Sequence, residues 1–279
     1  MVYEKFAFST PFLCGYKILK IPIVKSDGTP TWPELFPIEK IDQMRQTVGP
    51  RHFSAQMMLE FISPERARLD PGGLRFYDTE FEPRTAKIGS DVITGCILYW
   101  DPSSGRSKRD SSACVLLYRD DKNRHIFIHD ILYLTVPDEE QFPLSRQCDM
   151  VLDFMHSRSL FHITVETNGI GAGLPEIIRD CALRRGIKIH VHRVSNYRSK
   201  SDRILESIEP VLSTGRLHAH IRIQKTPFVA EMLGWSPLAR GIHDDGLDAV
   251  SGAIAQTALP IRPTGGIIKT FSAHTDFKI

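Results

Sequence analysis

The order of apolar runs after residue 90 constrains the fold of this chain most strongly. Three runs rich in β-branched and aromatic residues follow one another with only short polar breaks between them. They cover residues 92–101, 113–118 and 125–136. Strands joined by short turns pair antiparallel, so these three runs predict a meander.

After the meander, strand and helix patterns alternate. Helical spacing of apolar residues predicts four helices, at residues 144–157, 174–185, 201–214 and 245–259. Between them, apolar runs at residues 162–166 and 188–194 predict two further strands. Such alternation is typical of parallel strands joined by crossover helices. The sequence therefore predicts an α/β fold with a mixed central sheet flanked by helices.

The first 90 residues have a different composition, rich in Pro, Gly and aromatic residues. Ile38, Ile41, Met44 and Val48 recur at helical spacing, and a second short helical pattern covers residues 54–62. We predict a linker or docking segment over residues 1–90. A catalytic domain follows over residues 91–260, with a tail over residues 261–279.

Carboxylates stand where these apolar elements begin or end. Asp101 ends ILYWD and Glu166 ends HITVE, while Asp244, Asp245 and Asp248 lie at the start of the last helix. Residues three or four apart share a helix face, so the last three can project together. Small residues would let this helix approach the sheet closely: Ala249, Gly252 and Ala253.

Several carboxylates close together indicate a metal centre, because they repel one another until a cation neutralises them. An all-oxygen donor set suits Mg²⁺ or Mn²⁺. Two such ions, about 3.5–4 Å apart, can activate water and stabilise the leaving oxygen of a phosphodiester. Each acid alone has a simpler interpretation, as a solvated strand end or a helix cap. The prediction therefore rests on their joint occurrence.

Four segments resemble, in this order, successive motifs of terminase large-subunit nuclease domains: WDPSSGRSKRDSSACVLL, VETNGIGAGLPEII, KSDRILESIEPVLSTGRL and HDDGLDAVSGAI. The resemblance implies an RNase H-like fold and a two-ion site that uses Mg²⁺ or Mn²⁺. It implies cleavage of double-stranded DNA during viral genome packaging. It also implies that the metal ligands are Asp101, Glu166 and an aspartate of the last cluster. Among these we favour Asp245 and Asp248 over Asp244, because Asp-x-x-Asp also resembles the ending of related resolvases.

Basic residues near these acids are candidate contacts to the DNA backbone. Arg106, Lys108 and Arg109 follow Asp101, while Lys200 and Arg203 begin a predicted helix. Phosphate contacts position a duplex without reading its sequence. The alternatives are a solvated basic loop and local pairing within the helix with Asp202 and Glu206. The resemblance makes Lys200 a candidate phosphate contact.

Three further features have both a functional and a simpler interpretation. His243, just before the aspartates, is a candidate for water activation or substrate contact, and a local cap is the favoured alternative. Asp110 is a candidate auxiliary acid, with a turn residue as the alternative. NGIGAGL resembles a dinucleotide-binding fingerprint, but Leu174 replaces its third glycine, so a flexible turn is the favoured interpretation.

The stretch from Tyr16 to Glu65 resembles the end of a terminase ATPase domain, where it passes into the nuclease. No G-x-x-x-x-G-K-[ST] loop occurs in the sequence, so we expect no Walker-type ATP site. Either the chain is a C-terminal piece of a longer protein, or the motor is encoded separately. The expected partners are double-stranded DNA, a packaging ATPase, a portal and a small terminase subunit.

The formal net charge of +2 does not by itself indicate a nucleic-acid partner, so DNA binding would depend on local basic patches. The five cysteines are scattered, with no C-x-x-C pair, which argues against a zinc site and a disulfide framework. No signal peptide or membrane-spanning stretch is evident. We expect a soluble protein of the host cell cytoplasm that does not bind membranes.

Two alternatives remain open from the sequence. One is another RNase H-like nuclease, such as a junction resolvase or recombinase. The WPELFP region favours a terminase over these. The other is a non-catalytic packaging adaptor that docks a motor, a portal or DNA. The intact set of Asp101, Glu166 and Asp245 argues against an adaptor.

Overall fold

The structure is a computed structural model that describes residues 19–48, 53–59, 69–105, 112–237, 243–256 and 259–261. The chain divides into two compact units, Met1–Ile62 and Ser63–Ile279. This division lies upstream of the predicted boundary at residue 90. The reason is that Arg75–Tyr77 forms a strand of the main sheet of the second unit.

In the first unit, helix α1 covers Ile38–Val48, which confirms the first helical pattern. A π-helical turn at Phe53–Met57 stands where the second helix was predicted to begin, and residues 60–62 lie outside the described residues. The amide of Ile23 donates to the Met57 carbonyl at 2.8 Å. Four residues form the small core of this unit: Ile23, Val24, Ile41 and Phe53.

The second unit contains ten described strands, eight of them in one sheet. The strands are β1 (Arg75–Tyr77), β2 (Lys87–Ile88), β3 (Asp91–Val92), β4 (Gly95–Asp101), β5 (Ser112–Asp120), β6 (His125–Leu134), β7 (His162–Glu166), β8 (His190–Val194), β9 (Leu217–His220) and β10 (Leu259–Pro260). The order in the main sheet is β1-β9-β6-β5-β4-β7-β8. β10 also pairs with β4, and β2 pairs with β3 in a separate hairpin.

The central strands β4, β5 and β6 form the predicted antiparallel meander. β7 pairs in parallel with β4, and β8 in parallel with β7. The sheet is therefore mixed, as the predicted α/β fold class requires. Three strands of the sheet were not predicted. β10 lies where the last helix was predicted to end, and β1 and β9 pair in parallel with each other. All three are short, and LHAH in β9 has too few apolar residues to stand out as a strand.

Helices cover both faces of the sheet, and their bounds are α2 (Pro143–Ser157), α3 (Leu174–Arg184), α4 (Lys200–Ser213), α5 (Phe228–Gly234) and α6 (Asp245–Ala255). α2 and α3 pack together on one face, and α6 packs on the other face with α4 and α5 beside it. Successive residues of β4 point to opposite faces, so Tyr99 belongs to the α6 core and Trp100 to the α2 core.

Four of the five cysteines are described, and all four are free thiols: Cys96, Cys114, Cys148 and Cys181. Cys14 lies outside the described residues. Within the described part of the chain, no helix combines the length and the apolar character that a membrane span requires.

Candidate active site

Asp101 and Glu166 stand side by side at the ends of two parallel strands. Tyr99 pairs with Thr164 and Trp100 with Val165, so Asp101 and Glu166 follow in the same register. Neighbouring strands lie about 4.8 Å apart, and residues two apart on a strand share a face. Both carboxylates therefore project towards the face of Tyr99, which α6 covers.

Helix α6 brings Asp245 and Asp248 to the same place. Both residues are buried, and they occupy its first turn. The helix lies close to β4 because Gly252 has no side chain: a Cβ there would stand 2.4 Å from Cζ of Tyr99. Ala249 and Ala253 are fully buried, so the small residues act as the sequence predicts.

The first turn of α6 is capped by another helix. Asp244, the residue before α6, makes no capping hydrogen bond with its side chain. Instead the amide of Leu247 donates to Oε2 of Glu231 on α5, at 3.1 Å. Burial raises the pKa of Glu231 to about 7. A Cβ at Gly246 would come within 2.8 Å of Oε2 of Glu231, so this glycine permits the contact. Glu231 was not predicted, because it is a single acid within FVAEMLG.

Two cations from the first turn of α4 face these acids. Arg203 bridges two of them, with Nη1 3.2 Å from Oε2 of Glu166 and Nη2 2.7 Å from Oδ1 of Asp248. Lys200 Nζ lies 2.6 Å from Oδ1 of Asp244 and 3.5 Å from Oδ2 of Asp248. Lys200 and Arg203 therefore bind acids of the site, and not the neighbours on their own helix.

Glu166 is oriented by hydrogen bonds as well as by Arg203. The Tyr99 hydroxyl donates to Oε2 of Glu166 at 2.6 Å, and Asn196 Nδ2 donates to the same oxygen at 2.8 Å. Asn196 also donates to the Tyr99 hydroxyl at 3.1 Å. Tyr99 and Asn196 were not predicted, because neither residue belongs to a motif of charged or metal-binding side chains.

The acids repel one another across the site. The pKa of Asp101 is raised well above its ordinary value, first by burial and then by Asp248 and Glu166, against the opposing effect of Lys200 and Arg203. Burial also raises the pKa of Asp248, which the same two cations oppose. We call Asp101, Glu166 and Asp248 the acid cluster, because these three act on one another electrostatically.

The remaining predicted acids border this cluster. Asp244 pairs with Lys200, and Oδ2 of Asp245 lies 3.9 Å from Nδ1 of the exposed His243. Asp245 also acts on the pKa of Lys200 and of Glu231. The preference for Asp245 as a ligand stays a prediction, while the contacts place Asp248 with the strand acids.

The predicted basic loop is the segment that follows Asp101. Arg106, Lys108, Arg109 and Asp110 lie outside the described residues. Lys200 and Arg203 do not pair with Asp202 and Glu206, which was the alternative within α4. Asp202 accepts a hydrogen bond from the Ser199 hydroxyl, and Glu206 forms an ion pair with Arg198.

The glycine-rich turn after β7 has a packing role beside the site. Gly169–Gly173 forms a 3-10 turn. A Cβ at Gly171 would lie 2.1 Å from the carbonyl oxygen of Glu166 and 2.9 Å from Cγ of Pro102. The turn therefore closes over the ends of β4 and β7, in agreement with the turn interpretation of NGIGAGL.

The donor set of the acid cluster fits a hard divalent cation. Its three side chains offer carboxylate oxygens only, the ligands that Mg²⁺ and Mn²⁺ prefer. The raised pKa values of Asp101 and Asp248 indicate excess negative charge that a cation would stabilise. The chemistry of these side chains therefore suits such an ion, and Asp244 and Asp245 lie next to them.

Several solved structures resemble this chain. The nuclease domain of the P22 large terminase has a TM-score of 0.45 and 13% identity, over 68% of this chain and 91% of that one. The human cytomegalovirus terminase nuclease domain, Mn soaked and inhibitor bound, has a TM-score of 0.43 and 14% identity, over 57% of this chain and 82% of that one. The nuclease domain of g2p, the large terminase of bacteriophage SPP1, was solved with bound Mn. Its TM-score is 0.40 and its identity is 15%, over 65% of this chain and 94% of that one.

These structural neighbours are terminase nuclease domains, the group that the four sequence motifs resemble. No family model and no curated protein matches the sequence. We therefore base the function on the geometry of this chain's own acid cluster.

Proposed function

We propose that this protein is a divalent-metal-dependent endonuclease that cuts double-stranded DNA. The observation that carries the proposal is the convergence of Asp101, Glu166 and Asp248 from two adjacent strand ends and one helix. Isolated surface acids would be solvated and far apart. Buried acids that repel one another are instead typical of a site built for a cation.

Asp101, Glu166 and Asp248 would hold the metal, with Asp245 as a further candidate ligand. Two Mg²⁺ or Mn²⁺ ions, when bound, would supply an activated water and stabilise the leaving oxygen of a phosphodiester. The donor set without imidazole or thiolate ligands favours these hard ions over Zn²⁺.

The protein's own residues have defined roles in this proposal. Tyr99 and Asn196 hold one oxygen of Glu166, and so fix the direction of its carboxylate. Arg203 keeps Glu166 and Asp248 at a constant separation. The side chain of Lys200 is 40% exposed, so it can also reach a DNA phosphate near the acids.

A plasmid-cleavage assay tests the proposal. The purified chain should nick or linearise supercoiled DNA with Mn²⁺ or Mg²⁺, and EDTA should stop the reaction.

Asp101→Ala, Glu166→Ala and Asp248→Ala should each lower the rate about 100-fold or more, because losing charge stabilisation at a phosphoryl centre has this effect. Asp245→Ala is also expected to abolish cleavage. Asp180→Ala is the matched control, since this acid is exposed on α3. Undiminished cleavage in EDTA, or parental rates in the Asp101 and Glu166 variants, would refute the metal mechanism.

Viral genome packaging is the biological role that we propose for this nuclease. The collinear resemblance of four motifs to terminase nuclease domains supports it. In this role the chain would act in the host cell cytoplasm, together with a packaging ATPase, a portal and a small terminase subunit. Pull-down of a portal or an ATPase from the same virus tests the partners separately from the chemistry.

Two other functions make different predictions in the same assay. A junction resolvase would cut four-way DNA junctions much faster than linear duplex or plasmid. A packaging adaptor would bind DNA or the motor and show no cleavage with any metal. The intact acid cluster with its two cations favours a catalytic protein over the adaptor.

A further inference from the structure

A second group of metal-binding side chains lies at the other end of the meander. Asp91 is in β3, Asp120 ends β5 and His125 begins β6. β5 starts next to Asp101, which pairs with Ala113, and runs over nine residues to Asp120. At about 3.4 Å per residue, this group is about 25 Å from the acid cluster. It is therefore a separate place on the molecule.

The donor atoms of this group are close enough to share one ion. One ligand atom from each of Asp91, Asp120 and His125 lies within 4.8 Å of the other two. Nδ1 of His125 is 3.1 Å from Oδ1 of Asp91. Metal–ligand bonds of about 2.0–2.2 Å need donors about 3–4 Å apart, so only a small adjustment is required.

The β5–β6 turn holds the carboxylate of Asp120 in place. Its Oδ1 accepts from the amides of Lys122 at 3.0 Å and Asn123 at 3.3 Å. Its Oδ2 accepts from Nδ2 of Asn123 at 2.6 Å. Each carboxylate oxygen has two lone pairs, so Oδ2 keeps one for a further partner. Asp120 is thus a buried ligand whose orientation is set before any ion binds.

A further side chain beside this group is an independent reason to expect a bound ion there. The ring of His218 on β9 stands 4.7 Å from the ring of His125. Its Nε2 is buried and has no hydrogen-bond partner among the described residues. A buried ring nitrogen without a hydrogen-bond partner is costly, and imidazole nitrogen is a common metal ligand.

These contacts could also form without a metal ion, but that explanation covers only some of them. A hydrogen bond between His125 and Asp91 and a turn stabilised by Asp120 would explain three of the side chains. It leaves Nε2 of His218 unexplained.

We propose that Asp91, Asp120 and His125 form a second metal site. The mixed set of imidazole nitrogen and carboxylate oxygens favours a borderline ion such as Zn²⁺, whereas the acid cluster offers oxygen only. The ion would connect the β2–β3 hairpin to the β5–β6 turn. The site is structural, and it does not depend on the proposed nuclease function.

The test uses the full chain carrying Asp101→Asn and Glu166→Gln, so that the acid cluster no longer contributes to metal binding. Zn²⁺ should raise the Tm of this protein and bind at about one ion per chain in calorimetry. Co²⁺ in place of Zn²⁺ should give the visible absorption of a nitrogen- and oxygen-ligated site. Adding His125→Gln or Asp91→Asn should weaken Zn²⁺ binding about tenfold or more.

His162→Gln in the same background is the matched control. His162 stacks on His190 at the far edge of the sheet, at 4.7 Å between ring centres, and the two rings form another imidazole pair that could bind Zn²⁺. It should leave Zn²⁺ binding unchanged. Two results would overturn the proposal. One is the absence of visible Co²⁺ absorption in the protein with only Asp101→Asn and Glu166→Gln. The other is Zn²⁺ binding that His162→Gln removes and Asp91→Asn leaves unchanged. Since the parent background is measured directly, the result does not depend on whether each variant folds.

Discussion

At the scale of single residues, Arg203 connects acids of the candidate active site. Its guanidinium touches both Glu166 and Asp248, and its side chain is only 14% exposed. Without it, two buried carboxylates would face each other with Lys200 as the nearest cation. Arg203 is therefore a positioning residue that stabilises the metal-free form of the site.

Arg203→Gln should destabilise the metal-free protein by about 2–4 kcal/mol, because it removes one partner of a buried charge group. Mn²⁺ should restore part of this loss, since the ion supplies the missing positive charge. Urea unfolding in EDTA and in Mn²⁺ measures both effects. Arg198→Gln is the control, because its pair with Glu206 is exposed and such pairs contribute little. An equal loss with and without Mn²⁺ would contradict the positioning role.

Asp101→Asn should have the opposite effect on the metal-free protein. The folded pKa of Asp101 is raised above its unfolded value, so the ionised side chain destabilises the fold at neutral pH. The neutral amide removes this repulsion while keeping the shape. The urea midpoint in EDTA should therefore rise, and the Mn²⁺-induced increase in Tm should disappear. A lower urea midpoint in EDTA would show that the ionised side chain of Asp101 does not destabilise the fold.

At the scale of elements, the contact between α6 and β4 decides whether the acid cluster exists. Gly252 lets the helix lie against Tyr99, and Glu231 caps the first turn that carries Asp248. Both features lie outside the acid cluster, yet they set where Asp248 stands.

Gly252→Ala should therefore weaken both stability and metal binding. The added Cβ would meet the Tyr99 ring at 2.4 Å, so α6 has to move outwards, at a cost of about 1–3 kcal/mol. Thermal unfolding gives the first quantity, and Mn²⁺ titration by calorimetry gives the second. Gly173→Ala serves as the control, because a Cβ there has no atom within 4 Å. If Mn²⁺ affinity is unchanged in a destabilised Gly252→Ala protein, α6 does not position the ligands as we describe.

At the scale of the whole molecule, a buried polar group makes stability depend on pH. His129 is 2% exposed, and it hydrogen-bonds to Glu80 at 3.1 Å and to the Tyr77 hydroxyl at 3.0 Å. Burial lowers its pKa to about 4, against the opposing effect of Glu80. The other charged or titratable groups that act on it are Arg222, His220 and Arg158.

The lowered pKa of His129 should make the protein less stable as the pH falls from 7 to 5. In this range the unfolded chain binds a proton with a pKa near 6.5, while the folded ring stays neutral, so acid favours unfolding. The contribution is about 2 kcal/mol at pH 5. His129→Asn should reduce the fall, as measured by urea midpoints in EDTA at both pH values. The same pH dependence in the variant would show that His129 is not responsible.

The chain alone should not hydrolyse ATP. A phosphate-binding loop of the Walker type would need the G-x-x-x-x-G-K-[ST] pattern, which does not occur in the sequence. A phosphate-release assay, with and without DNA, checks this. Turnover by the purified chain that survives in Asp101→Ala and in a contaminant control would show that a motor site was missed.

The sequence by itself determined the local elements and the candidates for the site. Apolar periodicity and strand composition predicted the meander, β7, β8 and five of the helices, because these patterns record which face of each element is buried. The helix α5 was not predicted, since seven residues show too little periodicity. It also predicted Asp101, Glu166 and Asp248, because an acid that ends or begins an apolar element is conspicuous. It missed β1 and β9, since short strands with polar residues carry too little periodic signal.

Only the tertiary structure decided which side chains meet. Tyr99, Asn196 and Glu231 have no unusual sequence context, and their roles arise because distant elements pack beside one another. The pairing of Lys200 and Arg203 with acids of the site, and not with Asp202 and Glu206, was also decided at this level. Charges select partners by distance in the folded chain, and the sequence records only distance along it.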